Sequence, residues 1–248
     1  MAYSEINAVG IIPARYNSSR FPGKPLVDID GKSMIHRVYD QAMKSKLLSK
    51  VYIATDDKRI FEHVKNFTDN VLMTSENHTN GTERVAEAIE ILEERNLFFD
   101  IVANIQGDEP YIFPQQIDEA LSVLINNENA EIATLIKEIN FEDATDPNRV
   151  KVVISKNNKA LYFSRQIIPF YKVEPEKQTY YKHIGLYVFR TIILKEIVKL
   201  DFSVLERAES LEQLRWLDND YKIFVEYSNY ETISIDTPED LNVFVGDE

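Results

Sequence analysis

Ile11-Ile-Pro-Ala-Arg-Tyr-Asn-Ser-Ser-Arg-Phe-Pro-Gly-Lys-Pro25 joins an apolar, strand-like run beginning at Val9 to a loop with three cations, Arg15, Arg20 and Lys24. No carboxylate lies between Ile11 and Val27, so these charges lack a local counter-ion and an anion from outside is the natural partner. Ser18, Ser19 and Gly23 add hydroxyl donors and a place where backbone N–H groups can approach phosphate oxygens. One such cation alone reads as a solvated side chain. The cluster, placed directly after an apolar first strand, predicts a polyphosphate site. Its spacing is neither G-x-x-x-x-G-K-[ST] nor G-x-G-x-x-G, so neither a P-loop NTPase nor a dinucleotide-binding dehydrogenase is supported.

Outward from this loop, strand-like and helix-like segments alternate. Ala8–Ala14, Val51–Ala54 and Ile101–Ile105 read as buried strands. Ile35, Val38 and Ala42 share a helical face, as do Ile60, Val64 and Phe67, and then Val85, Ile89 and Leu92. Such alternation predicts an α/β fold with a mostly parallel sheet and helices on both faces, its ligands at the carboxyl ends of the strands. The second half is less regular. Val150–Ser155, Leu161–Ser164 and His183–Phe189 read as a meander, with a polar connection from Lys172 to Tyr181. Helices return at Ile193, Ile197 and Leu200 and at Leu211, Leu214 and Leu217.

Composition narrows the function classes. A chain of 248 residues, 44% hydrophobic and 28% charged, can bury a substantial core as one domain. No repeat or low-complexity linker marks a second one. The absence of cysteine excludes disulfides and thiolate chemistry and fits a reducing, cytoplasmic setting. No run of about 18 apolar residues and no leader-like N-terminus occurs, so membrane insertion and export are not expected. A net charge of −13 argues against broad nucleic-acid binding and favours a small anion held at one basic site, bridged by magnesium.

Two carboxylates stand where a magnesium ligand is useful. Asp108 follows the strand ending at Ile105, and Asp236 ends the strand-like Ile233-Ser-Ile. Each by itself also reads as a turn or cap residue, and Asp236-Thr-Pro-Glu-Asp as a helix start. Glu109 and Asp240 are expected to be structural.

The loop, together with Ala54-Thr-Asp56, His78-Thr-Asn-Gly-Thr-Glu-Arg84, Asn104-Ile-Gln-Gly-Asp-Glu-Pro110, Ala160-Leu-Tyr-Phe-Ser-Arg165, His183-Ile-Gly-Leu-Tyr187, Leu211-Glu-Gln-Leu-Arg215 and Ile235-Asp-Thr-Pro-Glu-Asp-Leu241, resembles sugar-activating nucleotidyltransferases. The match is to the 3-deoxy-manno-octulosonate (Kdo) cytidylyltransferase family. The Gly-Gly-Ser-Lys loop of sialic-acid cytidylyltransferases is missing. The resemblance implies a Rossmann-like three-layer fold spanning residues 1–248 as one nucleotidyltransferase domain. A small mixed lobe for dimerisation and sugar binding would be embedded in its second half. It implies CTP and Kdo as substrates, CMP-Kdo and pyrophosphate as products, Mg2+ as cofactor, a homodimer, and a role in lipopolysaccharide biosynthesis.

By the same resemblance Asp108 and Asp236 hold magnesium and, with Arg20 and Lys24 on the leaving phosphates, form the catalytic set. Arg15, Ser19, Gly81, Thr82, Arg84 and Gln106 would bind the nucleotide. Arg165, His183, Tyr187, Glu212 and Gln213 would bind the sugar acid, a guanidinium fork suiting its carboxylate and mixed donors and acceptors its hydroxyls. Thr82 reads equally as part of a helix N-terminus, Tyr187 as core and Glu212 as a solvated helix face. His78 stays outside the catalytic set. A cytidylyltransferase for 8-amino-Kdo or another sugar acid, a glycosyltransferase using a nucleotide sugar and a non-catalytic nucleotide sensor remain as alternatives.

Overall fold

The computed structural model describes residues 6–17, 20–173 and 177–243. Two compact units divide the chain, one containing the described residues up to Asp118 and from Tyr230, the other Glu119–Asn229.

The first unit is built on four strands. β1 (Ala8–Ala14) leads into the cationic loop and a 3-10 turn at Lys24–Leu26, and a two-stranded ribbon of β2 (Asp28–Ile29) and β3 (Lys32–Ser33) follows. α1 (Met34–Ala42), β4 (Lys50–Thr55), α2 (Lys58–Val64), β5 (Val71–Met73), α3 (Gly81–Glu94) and β6 (Ile101–Asn104) complete the alternation. The strands run parallel in the order β6-β1-β4-β5, with Ile11 opposite both Tyr52 and Asn104. Parallel strands covered by helices are buried on both faces, which is why β1 and β6 read as unbroken apolar runs.

α1, α2 and α3 each start at a side-chain cap. Ser33 accepts from the His36 N–H, Asp57 from Arg59 and Asn80 from Glu83, satisfying donors that the first turn leaves without partners. The apolar faces expected of α1 and α3 are buried: Ile35, Val38 and Ala42 in one, Val85, Ile89 and Leu92 in the other. α2 is shorter than the spacing suggests. It ends at Val64, and Phe67 lies beyond it, stacked on the His36 ring at 3.9 Å.

α4 (Pro114–Asn126) carries the chain into the second unit. There, β7 (Ile132–Ile139), α5 (Phe141–Thr145), β8 (Lys151–Ile154), β9 (Ala160–Ser164), β10 (Tyr180–Arg190), α6 (Thr191–Ile197), α7 (Val204–Glu209), α8 (Gln213–Asp218) and β11 (Ile223–Tyr227) follow. β10 runs antiparallel to β7 with a break in register between Ile184 and Tyr187, β11 runs parallel to β7, and β8 pairs antiparallel with β9 and β10. The three expected strands are present. β7 and β11, absent from the sequence reading, make the strands a mixed sheet rather than a simple meander.

One expected strand does not form. Ile233–Asp236 belongs to no strand; it is fixed instead by the Ile235 N–H bonded to the Asp108 carbonyl at 2.9 Å, and by the Ile235 side chain, which is buried with Ile29 and Met34. Phe21, Tyr111 and Leu241 pack around that cluster. Among the described residues no helix is long and apolar enough to cross a membrane.

Candidate functional site

The cationic loop is shaped from its two ends. The Gly23 N–H bonds the Tyr16 carbonyl at 2.9 Å, and Gly23 takes φ +74°, a left-handed conformation costly for other residues. A side chain at Gly23 would also strike the Tyr16 ring, about 3.1 Å away. The opposite side of the loop is braced by the Arg59 guanidinium, 3.2 Å from the Tyr16 ring centroid and tied to Asp57 by bonds of 3.0 and 2.7 Å. Those bonds hold the Asp57 carboxyl below its ordinary pKa. Tyr16, Asp57 and Arg59 were not foreseen; no sequence pattern links a loop aromatic to a cation on a later helix.

With its main chain so held, Lys24 opens the 3-10 turn and points across the unit. Its Nζ donates to Asp108 Oδ2 at 2.8 Å, the Ile235 carbonyl at 2.7 Å and Asp236 Oδ1 at 3.4 Å. Arg20 reaches Asp236 Oδ1 from the solvent side at 3.0 Å. Asp108 and Asp236, 128 positions apart in sequence, thus share one cation. Asp240 supports this arrangement from behind, accepting the N–H groups of Asp236 and Thr237 at 2.8 Å each, and those bonds lower its pKa. Glu109 accepts from the Thr232 hydroxyl at 2.9 Å.

Asp108 is brought in by a close backbone approach. A Cβ on Gly107 would lie 2.8 Å from the Pro13 carbonyl oxygen, nearer than real Cβ contacts come, so the turn after β6 can lie against the end of β1 only as glycine. The carboxyl ends of β1 and β6 and the start of α3 enclose a cleft of about 390 Å³. Arg15, Arg20, Lys24, Gly81, Arg84, Gln106, Asp108 and Asp236 all line it. That size suits a small ligand.

The nucleotide residues expected from sequence separate into four conditions. Arg15 is exposed and forms no ion pair among the described residues, and Gln106 and Gly81 line the cleft with it. Thr82 is buried in the first turn of α3 and does not line the cleft. Arg84 lines it, but its guanidinium turns inward to Asp56 and Thr74, at 2.6 Å each. Ser19 lies outside the described residues. The cleft also contains His78, whose Nε2 bonds Glu87.

The sugar-binding residues named from sequence lie in the second unit. His183 Nε2 is 2.9 Å from the Thr134 hydroxyl. That hydroxyl's one proton is directed to the carbonyls of Ile184 and Leu186, so His183 Nε2 is the donor. Desolvation lowers the His183 pKa to about 3, although some of the residue's surface reaches solvent; the rings of Phe163 and Tyr187 pack against the imidazole. Tyr187 Oη is buried without a hydrogen-bond partner among the described residues, as is Nε1 of Trp216, whose ring meets the Tyr187 ring edge-on. Burial, with Glu212 as the second cause, raises the Tyr187 pKa. Gln213, buried, begins α8, and Glu212 just before it accepts from Arg215 at 3.1 Å.

Arg165 is arranged differently from the expected free fork. Its Nε and two terminal nitrogens donate to the carbonyls of Glu209, Pro147 and Ser210 at 2.7, 3.2 and 3.4 Å. These contacts use three of the five guanidinium N–H groups. The buried Lys151 amine bonds the Arg165 carbonyl at 2.6 Å, and desolvation lowers its pKa.

Asp108, Asp236 and the Ile235 carbonyl present only hard oxygen donors, and both carboxylates are within reach of one small cation. Magnesium is commonly held by one or two carboxylates, with phosphate and water completing its octahedron, so this donor set fits it. No group of three or more His, Asp or Glu side chains among the described residues is arranged to hold a metal. The fit therefore depends on oxygens that a polyphosphate brings.

Residues 9–224 match the family model described as Cytidylyltransferase. A 3-deoxy-manno-octulosonate cytidylyltransferase of Parabacteroides distasonis is 50% identical over 243 residues, 94% of each chain, and one of Phocaeicola vulgatus is 51% identical with 94% of each chain covered. A solved structure of CMP:2-keto-3-deoxy-manno-octonic acid synthetase complexed with CTP superposes with a TM-score of 0.90 at 40% identity, covering 96% of this chain and 97% of the other.

Proposed function

The chain belongs to the 3-deoxy-manno-octulosonate cytidylyltransferase family, and from that premise we propose that it activates Kdo with CTP, releasing pyrophosphate and CMP-Kdo for lipopolysaccharide assembly. The observation that carries the proposal is one cleft lined by Arg15, Arg20 and Lys24 together with Asp108 and Asp236. In the reaction the anomeric 2-hydroxyl of the sugar acid attacks the α-phosphorus and the β,γ-pyrophosphate leaves, with no covalent enzyme intermediate.

Most of the work in such a transfer is positioning two anions and neutralising charge as it develops. Arg15 is exposed at the cleft and suits a phosphate oxygen, while Arg20 and Lys24 would follow the negative charge onto pyrophosphate. Gln106 and Gly81, which line the same cleft, would serve the cytosine and ribose. Asp108 and Asp236 would hold Mg2+, which when bound supplies charge neutralisation at the α-phosphate and acidifies the attacking hydroxyl.

The buried Tyr187 hydroxyl and Trp216 N–H, without hydrogen-bond partners among the described residues, support a polyol pocket in the second unit, as does a His183 kept neutral with its tautomer fixed. Arg165 retains two N–H groups for the substrate carboxylate. A cytoplasmic homodimer belongs to the same reading. It is supported by the lack of cysteine and by Phe170, Val173 and Val204, each at least 80% exposed in the second unit.

The test is release of pyrophosphate from CTP, magnesium and Kdo, stopped by EDTA. Comparable turnover with UTP or ATP, or turnover indifferent to chelation, would remove the proposal. A strong preference for 8-amino-Kdo would change only the acceptor.

A further inference from the structure

Lys24 Nζ lies among three oxygens, from Asp108, Asp236 and Ile235. An ammonium and a divalent cation cannot occupy that set together, since each would lose oxygen contacts to the other and the two charges repel. The side chain is only 12% exposed there, and partial burial limits the screening of this repulsion by salt.

Charge points the same way. Lys24 and Arg20 balance Asp108 and Asp236 one for one. A divalent cation arriving alone overcharges this balanced group, whereas one arriving with a triphosphate does not. The lysine also has somewhere to go. Its main chain is fixed by the Gly23 turn and the buried Pro25, while its four-carbon stem borders the cleft that Arg15 also lines.

We propose that Lys24 and the metal are alternative occupants of the Asp108–Asp236 pair: the lysine keeps divalent cations weakly bound until a polyphosphate draws its ammonium away. This rests on the reading of the two aspartates as magnesium ligands. Lys24 then has two successive partners, the carboxylates before nucleotide binding and the phosphates after it. Metal and nucleotide bind with positive coupling, each raising the affinity of the other by the same factor.

The test is Mn2+ binding without nucleotide, followed by electron paramagnetic resonance of the free ion. Lys24→Met and Lys24→Gln should bind Mn2+ at least about tenfold more tightly than the unaltered protein, within the range of roughly 5- to 150-fold usual for coupled sites. Lys24→Arg, which keeps the charge, should show no gain. Adding Asp108→Asn to Lys24→Met should abolish the gain, locating it at this pair, and circular dichroism checks that each variant is folded. Equal Mn2+ affinity in the unaltered protein and both neutral variants overturns the exchange. If Asp108→Asn still weakens Mn2+ binding in the presence of CTP, the aspartates remain metal ligands. If Asp108→Asn has no effect there either, the metal reading falls with it.

Discussion

His78 and Glu87 are bonded Nε2 to Oε2, and the same carboxylate oxygen accepts the main-chain N–H of Ser75 at 2.7 Å. One turn earlier on α3, Glu83 accepts the Thr79 N–H and hydroxyl and the Asn80 amide. Two glutamates on one helix thus hold the whole loop that supplies His78, Thr79 and Asn80 to the cleft wall.

Glu87→Leu should therefore raise the CTP requirement while leaving kcat and the Kdo requirement close to unaltered. Loss of a charge-assisted hydrogen bond of about 1.5–3 kcal/mol corresponds to roughly ten- to a hundredfold in affinity. Glu87→Gln keeps an acceptor and should recover most of it. Steady-state kinetics with each substrate varied decides: a fall in kcat together with rises in both substrate requirements means general loss of structure and no specific positioning.

At the other wall, Asp108→Asn and Asp236→Asn should each lower turnover by at least about a hundredfold, the scale of removing one group that stabilises transition-state charge. Asp240→Asn retains an acceptor for the N–H groups of Asp236 and Thr237 and should cost only about 1 kcal/mol of stability. Turnover at saturating magnesium and thermal melting separate the two classes. Asparagine variants at 108 or 236 with unaltered turnover would make those residues caps.

The order of β1, α1, β4, α2, α3 and β6 was legible because buried parallel strands and amphipathic helices print different periods on the chain. β7 was not. Ile132-Ala-Thr-Leu-Ile-Lys-Glu-Ile139 mixes good helix formers with β-branched residues, and its strand form comes from pairing with β10 and β11. The Asp236 segment reads as a strand by its alternating isoleucines, yet Ile235 alternates for a different reason, its burial beside Ile29 and Met34. The cations of the cleft were identified by type and local context, and the pairing of its carboxylates by the family resemblance. Their partners were not: the inward turn of Arg84 to Asp56, the Arg59–Tyr16 stack and the His78–Glu87 bond are long-range contacts without a local pattern.

His183 makes stability depend on acidity. Its folded pKa, about 3, lies below the unfolded value near 6.5, so between these pH values the unfolded chain binds the extra proton. Stability from this group is complete above pH 6.5 and declines as the pH falls toward 3. Partial solvent contact limits the effect to about 1–2 kcal/mol at pH 5. Urea unfolding from pH 7 to pH 4.5 should show a shallower decline for His183→Gln than for the unaltered chain; identical slopes would mean that the imidazole is not desolvated.

Arg165→Lys should lower the melting temperature and raise the Kdo requirement together, while CTP binding by calorimetry hardly changes. Lysine cannot span the carbonyls of Glu209, Pro147 and Ser210 and also present a planar pair to a carboxylate. A lower melting temperature with an unaltered Kdo response would leave Arg165 as a brace alone. Weakened CTP binding would move it to the nucleotide.

Because Asp236 lies in the segment that returns to the first unit only after residue 229, the carboxylate pair cannot assemble until the whole second unit has been synthesised. A ribosome-bound precursor holds the basic loop and Asp108 through the synthesis of Glu119–Asn229 before their second acid emerges. Chains cut short before Tyr230 keep Arg20 and Lys24 but lose Asp236 and the Ile235 carbonyl, so incomplete translation products carry the anion-attracting half of the cleft without the half that balances it.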